Sequence, residues 1–182
     1  MKKLKTFHKG IMSAVVCFFL FSASAWAQKS GKLSDAEIAS VSVVANQVDI
    51  DAGRLAQQKT KDAAILDFAK TMINDHQSVV DKASALVKKL GITPQDNDLS
   101  RQLLAGAEKT KRMLQAKSGQ AFNRAYIDHE VAYHQAVITT VEGRLIPEAT
   151  NAELKALLQS VLPVLRTHLE HAQMVQKNIA AK

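Results

Sequence analysis

Apolar residues recur at intervals of three and four through most of the chain, the spacing of a single helical face. Over residues 35–60, Val41, Val44, Ala45, Val48, Ala52, Leu55 and Ala56 form one such stripe. Ser34-Asp35-Ala36-Glu37 precedes it and reads as a capping box, in which hydroxyl and carboxylate satisfy free backbone N–H groups. The pattern over 62–90 predicts a second helix, with Ile65, Phe68, Ala69, Met72, His76, Val79, Val80, Ala83, Leu86, Val87 and Leu90 on its stripe. Gly91 closes it and Pro94 follows. A weaker stripe over 99–116 carries Leu103, Leu104, Ala107 and Leu114, and Ser118-Gly119 interrupts it. The next helix, over 119–144, carries Phe122, Tyr126, Ile127, Val131, His134, Val137, Ile138 and Val141, and Pro147 is expected to stop it. Thr150-Asn151-Ala152-Glu153 reads as a second capping box. It opens a last helix over 151–179 with Leu154, Leu157, Leu158, Val161, Leu165, His168, Ala172, Val175 and Ile179. Pro163 lies opposite that stripe, so its ring is expected to face outward while removing one backbone bond.

Strand-like alternation of useful length is lacking. Four long amphipathic helices can bury their stripes only against one another, which predicts an all-α four-helix bundle. The 97–116 segment would be roughly 30 Å long as a helix, enough to carry the chain from one end of the bundle to the other. Such a crossover makes the second and third long helices parallel, the ferritin-like connection; an up-down-up-down bundle with a decorated loop is the alternative.

Composition agrees with an all-helical reading. Of 182 residues 47% are hydrophobic but only 5% aromatic, with 7 Gly, 3 Pro and 1 Cys, which argues against all-β and disulfide-stapled folds. The first 27 residues differ from the rest. Lys2, Lys3, Lys5 and Lys9 precede the apolar run 11–21, and Ala25-Trp26-Ala27 supplies a small-x-small site, the three parts of a secretory signal peptide. The run is about half the ~20 residues of a spanning helix. Cleavage after Ala27 would leave a single helical-bundle domain over 28–182, exported to the periplasm, without a membrane span. The formal charge falls from +7 to +3, because the leader carries four lysines and no acid. Cys17 leaves with it, so the remainder can use no disulfide, thiol catalysis or thiolate ligand. Lys109, Lys111 and Arg112 are the densest basic cluster and share a mixed helix face, so nucleic acid is not an expected partner.

The candidate chemistry lies where polar residues break the stripes. On helical wheels His76, His134 and His168 fall near the centres of three different stripes, while His129 and His171 fall at margins. Glu130 precedes His134 by one turn and shares its side. Asp49 and Asp51 flank the first stripe, one on each edge. Imidazole is poor core filler because both ring nitrogens need partners, and His converging with carboxylates is how bundles hold first-row metals. Counting residues from helix ends puts Asp49, His76 and His134 at one level, with His168 about 10 Å away. Asp49, His76 and His134, joined by Glu130 and His168, are therefore the candidate ligands of a divalent metal. Glu-x-x-His is absent, so an imidazole-rich site favours Zn²⁺ or Cu²⁺ over di-iron. No hydrolase elbow, phosphate loop, dinucleotide fingerprint or His-Glu-x-x-His occurs, and no acid–base pair argues for an enzyme. Tyr126 and Tyr133 read as packing. The rival reading is a non-catalytic envelope protein with structural histidines and a protein partner.

Asn46-Gln47-Val48-Asp49-Ile50-Asp51-Ala52-Gly53-Arg54-Leu55-Ala56 and Phe68-Ala69-x-x-Met72-Ile73-x-Asp75-His76 resemble the opening of the bacterial domain of unknown function 4142 family. Phe122-Asn123-x-x-Tyr126, His134 and Leu162-Pro163-x-x-x-x-His168 resemble its second half, so the likeness spans roughly 34–179. Members are often labelled outer membrane proteins and are classed as ferritin-like. The resemblance implies an exported four-helix bundle and brings no established activity. Asp49 stands where the family commonly has Glu, and Asn123 where it commonly has Asp.

Overall fold

The computed structural model describes residues 31–181; the export signal expected over 1–27 lies outside the described residues. The helices are α1 (Asp35–Lys59), α2 (Ala63–Leu90), α3 (Asp98–Gln115), α4 (Gly119–Thr140), α5 (Ile146–Glu148) and α6 (Ala152–Ala180), with a π-turn over Val141–Leu145 between α4 and α5. Among the described residues there is no strand.

Local chemistry sets the helix ends. Glu37 N–H donates to Ser34 Oγ at 3.3 Å while Ser34 N–H donates to Glu37 Oε2 at 2.9 Å, so the expected capping box is formed. Asp62 caps α2 by accepting from Ala64 N–H at 3.0 Å. Gly91, at φ 65°, closes that helix in the left-handed region that favours glycine. The second capping box is corrected. Asn151, not Thr150, caps α6, accepting from Glu153 N–H at 2.9 Å. Thr150 instead donates its N–H to Asp35 Oδ1 at 2.8 Å, and Asn151 N–H donates to Asp35 Oδ2 at 3.0 Å. Asp35 thereby ties the start of α6 to the start of α1.

Hydrogen bonds at the two ends of the bundle fix the topology. Asn97 Nδ2 donates to Glu37 O at 3.1 Å and Gln95 N–H to Ala36 O at 3.0 Å, so α3 begins where α1 begins. Lys59 Nζ donates to Gln115 O at 2.9 Å, so the two also end together. α3 is thus the long crossover, and α2 and α4 run parallel, the topology of a helical bundle with one long connection.

Two departures from the sequence pattern matter for the site. The third long helix does not end near 144: its backbone passes through the π-turn and α5 to Glu148. Pro147 has no N–H to return to Gly143 O, and the chain widens by one residue just ahead of it, with Ile146 N–H donating to Val141 O. Asp49 is not at a stripe margin but inside, because the buried face of α1 includes Ile38, Ile50, Gly53 and Ala56 and turns Asp49 toward His76 of α2 and His134 of α4.

The core has two apolar halves. Phe68, Met72, Phe122, Tyr126, Ile127, Ala172 and Ile179 belong to one. Ile38, Val41, Val141, Leu145, Leu154, Leu158 and Leu165 belong to the other. Between the halves, each long helix carries a buried polar candidate: Asp49, His76, His134 with Glu130, and His168.

A pair of glycines reports the packing of α1. A Cβ on Gly53 would meet Ile73 Cγ1 at 2.9 Å and Ala69 O at 3.1 Å, whereas one on Gly106 of α3 meets nothing within 4 Å. Both substitutions gain about 1 kcal/mol of helix propensity. Gly106→Ala is expected to raise stability by about that amount, and Gly53→Ala to lower it, since overpacking costs about 1–3 kcal/mol. Urea unfolding of the two variants checks the opposite signs.

Candidate metal centre

His76 of α2, His134 of α4 and His168 of α6 converge, with ring centroids 5.7, 5.1 and 5.5 Å apart for the pairs 76–134, 76–168 and 134–168. Asp49 of α1 completes the layer: its Oδ2 is 3.1 Å from His76 Nε2 and 3.4 Å from His134 Nε2. All four residues are buried, as is Glu130. His168 belongs to the layer, which the count from expected helix ends placed some 10 Å away. The extension of the third long helix to Glu148 accounts for the discrepancy. His134 lies fourteen residues before that end and His168 sixteen after the start of α6, so the two levels differ by only about 3 Å.

Each imidazole has one nitrogen committed. His134 Nδ1 lies 3.0 Å from Glu130 O. A carbonyl only accepts, so Nδ1 carries the proton and Nε2 the lone pair. His76 Nδ1 lies 2.8 Å from Asn46 Oδ1. The Asn46 amide is oriented by its Nδ2, which donates to Ser42 O at 2.7 Å, so here too Nδ1 donates and Nε2 is left bare. His168 Nε2 donates to Asp75 Oδ2 at 2.9 Å, leaving Nδ1. His76 Nε2, His134 Nε2 and His168 Nδ1 are buried and have no hydrogen-bond partner. The same holds for both oxygens of Asp49 and both of Glu130. Three ring lone pairs and a carboxylate thus face one another with no donor between them.

The electrostatics sharpen this. Burial works against the Asp49 charge, but His76, then His134 and His168, outweigh it and hold its pKa below the ordinary carboxylate value, an effect those rings exert only when they carry a second proton. Burial simultaneously pushes the His134 and His168 pKa values down, toward the neutral form that cannot supply positive charge. Burial, reinforced by the Asp49 charge, raises the Glu130 pKa well above the ordinary value. The Asp49 charge thus calls for positive charge that burial withholds from His134 and His168, and a bound cation would supply it.

Ligand atoms of His76, His134 and His168 lie within 4.8 Å of one another, and so do those of Asp49, Glu130 and His134. The layer can hold a metal ion through either triad, with His134 common to both. All five candidates from the sequence are thus brought together. Asp51 is not: it is exposed and bonded to Gln47 and Arg54. His171 packs edge-on to Phe68 instead, with centroids 5.1 Å apart. Tyr133 does more than pack, donating its hydroxyl to Ala45 O at 2.8 Å. Sequence reasoning missed Asn46 and Asp75 as supports of the rings. Asn46 sits one turn before Asp49 and hence on its face, a spacing that could have revealed it. Asp75 reaches across to another helix, and no spacing within α2 shows that.

Fold and site together define a helical bundle whose core is cut by a buried histidine–carboxylate layer. The chain belongs to the domain of unknown function 4142 family, whose model matches residues 21–175. No curated protein and no solved structure matches it.

The raised Glu130 pKa has a measurable sign. A carboxyl whose pKa is higher folded than unfolded contributes stability fully below its unfolded value, about 4.5, and loses it as pH rises toward the folded value. Glu130→Gln removes that loss. In metal-free protein the variant is expected to match the parent near pH 4 and to exceed it increasingly above, by roughly 1 kcal/mol per pH unit across the window. Thermal melts from pH 4 to 8 check this; a gap that shrinks with rising pH would contradict the assignment.

Proposed function

We propose that this chain is an exported helical bundle that binds a divalent transition metal through His76, His134, His168 and Asp49, with Glu130 beside them. The observation that carries the reading is the set of buried ring nitrogens left bare by fixed partners on their other side. A ring held by an outer acceptor, with its free lone pair aimed inward, is the arrangement that orients metal-ligating histidines. Packing histidines would show both nitrogens paired. Three imidazoles and a carboxylate suit Zn²⁺ or Cu²⁺.

Export to the periplasm rests on the leader: lysines, an apolar run and Ala25-Trp26-Ala27. No helix among the described residues is long and apolar enough to cross a membrane. Protein recovered from the periplasm is expected to begin at Gln28 by intact mass; a chain retaining residues 1–27 would refute the cleavage.

The metal reading is tested on untagged protein stripped with chelator. Zn²⁺ or Cu²⁺ is expected to bind near one equivalent. It should stabilise the fold by about 3 kcal/mol when free metal is a hundredfold above Kd. His76→Ala is expected to abolish binding. Asp75→Asn, which keeps the layer intact but alters the acceptor behind His168, should weaken binding about 10–100-fold. Stability indifferent to metal and chelator, or stoichiometric binding that survives His76→Ala, would favour the rival reading of structural histidines.

A further inference from the structure

The polar layer is also the end wall of a cavity. A space of about 140 Å³ adjoins Asp49, His76, His134 and His168 and continues to Leu145 and Leu154 in the other half of the bundle. Along α4 that is the stretch from His134 to Leu145, roughly 16 Å of helix. Its walls are apolar, with Val79, Val87, Val137, Leu157 and Val161 on facing helices. Val164, 39% exposed, and the exposed Ala136 line it too and open it to solvent.

Few polar groups reach this space besides the layer, and all are already engaged. Ser42 Oγ donates to Ile38 O, Thr140 Oγ1 to Ala136 O and Tyr133 hydroxyl to Ala45 O, at 2.8 Å in each case. Asn46 is held between Ser42 O and His76. The hydroxyl protons are spent, so a guest's acceptor group can be served only at the Asp49–histidine layer, and the rest of such a guest must be apolar. The volume is close to the roughly 150 Å³ of an engineered cavity that takes benzene, which sets the apolar part at about six carbons.

The sign of the polar end follows from charge. Without metal, the Asp49 carboxylate repels an anion. With a divalent ion held by the three imidazoles, its charge exceeds that of the Asp49 carboxylate, the layer is net positive, and a position remains that an oxygen ligand can take. We propose that the cavity binds a medium-chain monocarboxylate, its tail along Val137 and Val161 and its carboxylate on the bound metal. This inference rests on the metal reading and extends it to a ligand class.

Calorimetric titration of octanoate into Zn²⁺-loaded and metal-free protein tests it, with acetate as the head group alone and metal content measured on every sample. Octanoate is expected to bind the loaded protein at least tenfold more tightly than the metal-free protein, and at least tenfold more tightly than acetate. Val137→Trp, which fills the cavity, should cost at least tenfold in octanoate affinity with metal content unchanged; Val161→Phe, on the opposite wall, serves if that variant does not fold. Loaded protein that ignores octanoate, or filled variants that bind it as the parent does, would overturn the proposal while leaving the metal reading standing. Equal binding with and without metal would overturn the metal-bound head group. A sample that takes up no Zn²⁺ would defeat the metal reading and this inference with it, and the metal assay tells that outcome from the others.

Discussion

The structure depends on a layer of acceptors without donors at mid-height in the bundle. Three ring nitrogens and the Asp49 carboxylate are buried facing one another. A buried polar atom left unpaired costs about 1–3 kcal/mol, more when charged. Neither protonating His134 and His168 nor neutralising Asp49 relieves this fully, because burial opposes the first and the neighbouring imidazoles oppose the second. What tolerates such a layer is the apolar core on both sides of it. Phe68, Met72, Phe122 and Tyr126 are completely buried on one side, and Ile38, Val41 and Leu145 nearly so on the other.

The same layer removes an ambiguity inherent in helical bundles. Apolar stripes built from Ala, Val, Ile and Leu can slide past one another by a turn at modest cost, since one greasy contact replaces another. A polar layer cannot slide, because any shift strands each imidazole against hydrocarbon. Asn46, the Glu130 carbonyl and Asp75 extend this constraint outward, tying the rings to α1, α4 and α2. Register is thus specified by few residues, while the stripes supply most of the burial.

That division explains what was legible in the sequence. Periodicity revealed the four long helices and the crossover, because an amphipathic stripe is a local property of one segment. It also placed His76 and His134 at one level, since each sits a similar distance into its own helix. His168 was obscured by a feature that periodicity cannot show. Pro147 reads as a stop, yet the backbone accommodates it with a π-turn and runs on to Glu148. Asp49 was read at a stripe margin because the stripe was centred on Val44, Val48 and Leu55, whereas the buried face also takes in Ile38, Ile50 and Gly53. Asp75 was invisible as a support because its partner lies 93 positions away.

The two halves of the bundle are built differently, and the difference bears on what the layer can do. Toward Phe68 and Tyr126 the core is aromatic: Phe122 stacks on Tyr126 with centroids 6.0 Å apart, and Phe68 meets Tyr126 edge-on at 6.2 Å. Toward Leu154 the walls are aliphatic and several are only half buried. The irregular backbone gathers there too: the π-turn at Val141–Leu145 on one wall and Pro163 within α6 on the other. A π-turn widens a helix by one residue, and a proline removes one of its backbone bonds, so both walls depart from regular helix there. The aromatic half fixes the ligand geometry from one side, and the aliphatic half leaves space on the other. An ion held in this layer would be rigidly backed by protein on its aromatic face and approachable on its aliphatic face, the asymmetry a binding centre needs and a purely structural one does not.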